Sequence, residues 1–182
     1  MARVRGRDFI DALAFVRETY GAEAVERAVS RLGAPERSRF EAAFREVEWY
    51  PLDLLVAFLR AAQAALAPGD PTFFERQGRY AAQRQKESFL SVMVGSAEAR
   101  VATAPTIWRM FYDVGRLEVV GEDPVTAVSR IHDFPATPEL CRRFRGIWEG
   151  MASTPAHPAA AEETRCVLRG DPFCEFSLSH EA

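Results

Sequence analysis

The sequence is short of several things, and each shortage closes off a class of function. Its 182 residues include three cysteines and three histidines, too few for a disulfide-stapled scaffold. A chain of this length buries roughly 70% of its unfolded surface, so it needs no such framework. No stretch of about 18 residues is apolar throughout, and a membrane-spanning helix is therefore not expected. The opening Met1-Ala2-Arg3-Val4-Arg5-Gly6-Arg7-Asp8 is basic but lacks the apolar run of a secretory signal. The expected setting is cytoplasmic, with reduced thiols. Lys86 is the one lysine among 23 basic residues, the arginines are spread along the chain, and the net charge is −3. Nothing here announces a nucleic-acid partner. There is no Ser-His-Asp arrangement, phosphate-cradling glycine loop or HExxH, so the chain is not expected to be an enzyme. The histidines offer no proximal haem ligand: His132 falls in a strand, His157 between prolines and His180 near the last residue. Haem is accordingly not expected.

What is present from Asp8 to Tyr112 reads as helix. Phe9, Leu13, Val16 and Tyr20 recur at steps of three and four, and Gly21 breaks the run. Ala24, Val25, Ala28, Val29 and Leu32 form a second stripe, with Gly33 at a C′ position. Ala34-Pro35-Glu36 opens a short helix that includes Phe40 and Phe44. Trp49-Tyr50-Pro51 is a corner ahead of an amphipathic helix through Leu54, Leu55, Phe58, Leu59 and Ala62. Asp70 and Pro71 make an N-cap and N1 pair for the next helix, and a further helix starts near Pro105.

After Gly115 the texture changes to short β-branched runs. Leu117–Val120 and Val125–Phe134 read as a hairpin, and Thr137 caps a helix from Pro138 to about Met151. Two last strands follow, near Thr164–Leu168 and Phe173–Leu178, around Arg169-Gly170-Asp171-Pro172. The expected fold is α+β, a helical N-terminal half followed by a β-β-α-β-β antiparallel sheet. We expect one domain over 1–182, with a helical half at 8–112 and a sheet half at 115–180.

The cysteines carry the chemistry. A turn centred on Gly170 places Cys166 opposite Cys174, and directly opposed residues of an antiparallel pair share one face. Leu168 and Phe176 fall on that apolar face by period two. Cys141 lies on one stripe with Phe144, Trp148 and Met151, in the first turn of its helix, where the dipole favours a thiolate. Gly146 and Gly150 sit on another side, where a strand or partner can come close. Three inward thiols suit zinc, with Glu162 or Glu163 as a fourth ligand; strict alternation favours Glu162. Buried thiols without metal remain an equal reading, and a Cys166–Cys174 disulfide is a third.

Cys141-x4-Gly146-x3-Gly150, then Glu163-x2-Cys166-x7-Cys174 with Gly170-Asp171 in the turn, resembles the end of a vinyl-4-reductase (4VR) domain. In the phenol- and toluene-sensing activators that carry this domain, a Cys, a Glu and two later Cys bind zinc. The resemblance therefore implies Cys141, Glu163, Cys166 and Cys174 as ligands, and it favours Glu163 over Glu162. The same superfamily includes the haem-nitric-oxide-binding domains and the vesicle-tethering TRAPP subunits. The chain as a whole resembles a related myxobacterial family of unknown function, through Trp49-Tyr50-Pro51, Pro105-x2-Trp108-x3-Tyr112 and Gly170-Asp171-Pro172-x-Cys174. The effector-contacting His and Trp positions of the phenol sensors have no counterpart that can be placed here.

The resemblance implies a homodimer with a small apolar ligand in its helical half. Phe89, Trp108, Phe111, Tyr112 and Phe134 can line such a pocket, although aromatic stripes are more often plain core. The expected function is a non-enzymatic small-molecule-binding sensor or signalling domain with a structural zinc. The alternative is an interaction or scaffold subunit like the tethering relatives, with no ligand.

Overall fold

The computed structural model describes residues 1–93, 97–122, 126–153 and 158–180, with side chains for all of these except 87–93, 97–101, 121–122, 126 and 180. Helix α1 (Gly6–Tyr20) buries Phe9, Ala12, Phe15 and Val16, and Gly21 ends it at φ 95° with its N–H on Arg17 O. Helices α2 (Ala24–Val29) and α3 (Ala34–Ser38) are short. Gly33 serves as the N-cap of α3 at φ −60°, not as a left-handed C′ residue. Phe40 and Phe44 follow α3 instead of belonging to it; Phe44 stacks on Phe9 at 4.3 Å and Phe40 on Phe58 at 5.0 Å.

The Trp49-Tyr50-Pro51 corner proves to be a strand. Strand β1 (Arg3–Arg5) pairs antiparallel with β2 (Trp49–Pro51), and α4 (Leu52–Leu66) starts directly from it. Such short runs carry too little alternation to be read from sequence. Asp70 accepts from the Thr72 amide at 2.8 Å, so it caps the turn that leads into α5 (Phe73–Met93). Helix α6 (Ala97–Phe111) begins eight residues before Pro105, which lies inside it. Among the described residues, no helix is long and apolar enough to cross a membrane.

The C-terminal half has the expected β-β-α-β-β order. Strands β3 (Arg116–Glu122), β4 (Thr126–His132), β5 (Ala159–Arg165) and β6 (Cys174–His180) form one antiparallel sheet in the order β3-β4-β6-β5. Helix α7 (Pro138–Ala152) packs between this sheet and α5. Thr137 caps it, its hydroxyl accepting from the Leu140 amide at 3.3 Å.

The glycines of α7 admit neither a strand nor a partner, but α5 of the same chain. A Cβ on Gly146 would lie 1.9 Å from Glu75 O, and one on Gly78 would lie 2.0 Å from Arg143 O. The two helices therefore cross backbone to backbone, which no larger residue permits at these positions.

At its N-terminus α7 is tied to α4. Arg60 grips Glu139 through two bonds of 2.8 Å, and this pulls the Glu139 carboxyl down to about 2. A carboxyl depressed in the folded state stabilises the fold above its unfolded value, and that stability is lost as pH falls through the folded value. Arg60 is more than half exposed, so solvent screens the pair. Thermal melts of Glu139→Gln should show a cost of about 1 kcal/mol at pH 7, and the difference should shrink as pH falls toward 2.

Candidate functional site

The hairpin of β5 and β6 departs from regular pairing just before Cys166. Glu163 pairs with Phe176, but the next pair is Arg165 with Glu175, so a bulge falls between them. The bulge reverses the parity that favoured Glu162. It turns Glu163, rather than its neighbour, toward the cysteines. β5 also lies earlier in the chain than expected, and Val167–Arg169 form a 3-10 turn instead of strand. Leu168 is consequently half exposed and does not join the inward face, whereas Phe176 is fully buried there.

The turn itself is built by Gly170 and Asp171. Gly170 adopts φ 92°, a left-handed conformation that costs any other residue a steric clash. The Asp171 carboxylate accepts from the Cys166 amide at 2.8 Å, which pulls the chain out of the ladder at Cys166. The backbone amides of the 3-10 turn favour the charged forms of the sulfurs, Leu168 at Cys166 and Val167 at Cys174.

Helix α7 delivers the third sulfur. Cys141 Sγ lies 3.7 Å from Cys166 Sγ, and Cys174 Sγ lies 3.9 Å from Cys166 Sγ. The ligand atoms of Cys141, Glu163, Cys166 and Cys174 all fall within 4.8 Å of one another, and all three thiols are buried. A tetrahedral metal with bonds of about 2.3 Å to sulfur sets the sulfurs roughly 3.8 Å apart, so these distances fit one. A disulfide needs about 2.05 Å, and all three thiols are free. Glu163 supplies a further sign: its Oε1 is buried with no hydrogen-bond partner among the described residues, while Oε2 accepts from Arg169 at 3.4 Å. Buried carboxylate oxygens seldom go unpaired.

The charge of the cluster does not sit where the helix dipole alone would put it. A hydrogen bond from Cys141 brings the Cys174 thiol down to about 6, and the same bond, with burial, pushes Cys141 up. Burial also raises Cys166.

One turn further along, α7 meets a cavity of about 90 Å³. Trp108, Phe111 and Tyr112 of the expected pocket line it, with Phe144 and Trp148 from α7. Phe134 packs edge-on against Trp108 and Tyr112 at 5.2 and 5.3 Å and is not among the lining residues. The Phe89 side chain lies outside the described residues. His132 binds Glu118 at 2.7 Å on the sheet; His157 and the His180 side chain also lie outside the described residues.

Beside the cavity stands a polar network that the sequence reading missed. Arg143, fully buried, donates to Gln77 Oε1 at 2.7 Å, to the Tyr112 hydroxyl at 3.1 Å and to Asp8 Oδ1. Burial raises the Asp8 carboxyl, and Arg143 works against that shift. The signal available was spacing: Asp8, Ala12 and Phe15 share one helix face, and two of the three are core.

No protein-family profile matches the sequence, and no curated protein does either. Solved structures match its fold closely. An H-NOX protein from S. oneidensis in the Fe(II)NO state aligns with a TM-score of 0.73 at 11% identity, covering 98% of this chain and 99% of that one. A point mutant of an H-NOX protein from K. algicida, in its Fe(II) unliganded state, gives 0.71 at 9% identity, over 98% and 97%. A structure described for modulating haem redox potential through porphyrin distortion gives 0.66 at 13%, over 98% and 99%. The chain therefore has the α+β fold of the haem-NO-binding domains. No match bears on the 4VR or myxobacterial part of the resemblance.

This corrects the reading of haem. Structures that share the fold are described with haem iron or haem, which overturns the exclusion of haem drawn from the histidines. Counting histidines was too narrow a criterion, because tyrosine and methionine also hold haem iron, and Tyr112 and Met151 line this cavity. The fit as placed is tight. Ligand pockets usually enclose about 300–1,000 Å³, and the Tyr112 hydroxyl is engaged by Arg143. A porphyrin would need the aromatic walls to part.

Proposed function

We propose that the chain is a non-enzymatic small-molecule-binding domain of sensor or regulatory type, with a structural zinc held by Cys141, Glu163, Cys166 and Cys174. The observation that carries this reading is the double duty of α7. Its first turn bears Cys141, and the next turns bear Arg143, Phe144 and Trp148 on the cavity wall. A metal that pins the start of α7 to the β5–β6 hairpin also fixes one wall of the cavity. A ligand that binds one position of that wall better than another then shifts α7 relative to a fixed anchor. The 4VR resemblance supports the zinc set and a homodimeric state, and the H-NOX-like fold supports a ligand in the helical half. The single domain, the reduced cytoplasmic setting and Trp108, Phe111 and Tyr112 as ligand contacts belong to the same reading.

Native mass spectrometry of the purified chain, followed by haem titration read in visible absorption, tests it. We expect a bound small molecule, or a cavity that one fills on titration. A chain that carries none, and takes up neither haem nor small apolar probes, would point to the scaffold reading instead.

A further inference from the structure

A second cleft opens where β1 runs into α1. It measures about 270 Å³, and its lining includes Arg5, Arg7, Glu46, Val47, Met110 and Phe111. Val47 lies just before β2 and is 74% exposed; Met110 lies in the last turn of α6 and is 52% exposed. They are two of the five exposed large apolar residues among those described, and they border the same cleft. Phe111 lines both this cleft and the smaller cavity beside α7, so the two spaces are neighbours with a wall in common.

The charges of the cleft do not cancel. Arg7 pairs with Glu46 at 2.8 Å and with Asp11 at 3.2 Å, so its charge is met twice. Arg5 has no carboxylate partner among the described residues. Its Nε donates to Met110 O at 3.1 Å, its Nη1 donates to Val47 O, and its guanidinium lies 3.8 Å from the centre of the Trp49 ring. Two carbonyls and an aromatic face hold the group in place without neutralising it. A guanidinium fixed in this way meets a carboxylate with little further loss of side-chain freedom. Helix α1 starts at Gly6, next to Arg5, and its positive end adds to the same field.

The residues whose carbonyls hold Arg5 are the same two whose apolar side chains stand exposed. The cation and the apolar rim are therefore adjacent, which suits a molecule with an anionic head and a hydrocarbon body. We propose that this cleft binds a small apolar monoanion, its carboxylate meeting Arg5 and its body covering Val47, Met110 and Phe111. A single charge follows from the count: one cation is uncompensated, and Glu46 on the wall opposes a second negative charge. Size follows from the volume. Ligand pockets usually enclose about 300–1,000 Å³, so a cleft of about 270 Å³ fits a short-chain acid and not a long lipid. The site goes beyond the sensor reading above and does not rest on it, since neither the thiols nor the smaller cavity takes part.

Isothermal titration of the full chain with hexanoate, 1-hexanol, acetate and hexyl phosphate tests this. We expect hexanoate to bind about tenfold or more tightly than hexanol, the return on a charge-assisted hydrogen bond. It should exceed acetate, which lacks the body, by at least about tenfold. Hexyl phosphate, largely dianionic above its second pKa of about 6, should bind more weakly than hexanoate. Arg5→Gln should erase hexanoate's advantage over hexanol. Because Arg5 also bonds two carbonyls, Met110→Glu serves as the second variant: it sets a carboxylate beside Arg5 on an exposed side chain. It should cut hexanoate affinity by about tenfold or more, with an unaltered melt as the control for folding. Hexanoate no tighter than hexanol or acetate, hexyl phosphate tighter than hexanoate, or an advantage that survives Met110→Glu overturns the inference. So does binding of none of the probes, or hexanoate binding that disappears as the chain is concentrated, which would give the cleft to a second copy. All of these outcomes leave the zinc site and the sensor reading standing.

Discussion

Replacing Cys174 by Ser should release the metal and lower the melting temperature by several degrees, on the order of 6–12 °C for a loss of about 3 kcal/mol in a chain of this size. The argument begins with the crowding at the site. Three thiols and a carboxylate are brought within 4.8 Å of one another by three separate segments, a donor set that suits a metal. Without a metal, Glu163 sits against the three sulfurs, and its Oε1 has no hydrogen-bond partner among the described residues. With a metal, each becomes a ligand, and the binding energy is available only to the folded chain. Treatment with a strong chelator should produce the same loss in the unsubstituted protein and no further loss in Cys174→Ser. Leu168→Ser is the control, because Leu168 is half exposed in the same turn and its side chain supplies no ligand atom. Comparable melts for Cys174→Ser and the parent, with chelator indifferent in both, would mean the cluster is only packed thiols.

The second large effect is expected at Arg143. Arg143→Ala removes the cation bonded to Asp8 and strips hydrogen bonds from Gln77 and Tyr112. Breaking a buried pair from one side costs about 3–5 kcal/mol, because the partner is left charged in the interior. Burial already raises Asp8, and without Arg143 the rise grows. A carboxyl raised in the folded state favours folding when protonated, so part of the loss in Arg143→Ala should return as pH falls toward the ordinary carboxylate range. The double variant Asp8→Leu with Arg143→Met removes both charges and should recover part of the loss, the remainder being the buried Gln77 and Tyr112 groups left without Arg143. Denaturant unfolding of the single and double variants gives the coupling directly. A single variant within 1 kcal/mol of the parent, on the scale of a surface substitution, would contradict the role assigned to this pair.

Much of the site was legible because it depends on local rules. The centre of the Gly170 turn is enough to set Cys166 against Cys174, and a stripe of period 3.6 is enough to turn Cys141 inward. What escaped depends on contacts between distant segments. The bulge before Arg165 is one residue of slippage against β6, and no pattern within β5 announces it. It reversed the parity argument and chose Glu163, which only the family spacing had favoured. Leu168 was misplaced because Asp171 pulls Cys166 out of the ladder, a side-chain effect that alternation cannot register. Gly146 and Gly150 were read correctly as close-approach residues, but the partner, α5, lies some 70 positions away. Arg143 and Asp8 were missed for the opposite reason. Each looks like an ordinary charge beside an apolar stripe, and only their pairing across 135 positions makes either one buried. Haem was set aside by counting one residue type, whereas the likeness to the H-NOX structures is a property of the whole chain.

The most direct test of the central claim is X-ray absorption at the zinc edge on protein purified without added metal. We expect about one zinc per chain, with three sulfur ligands near 2.3 Å and one oxygen near 2.0 Å. Well under half an equivalent of metal, or a metal with no sulfur in its shell, would contradict it.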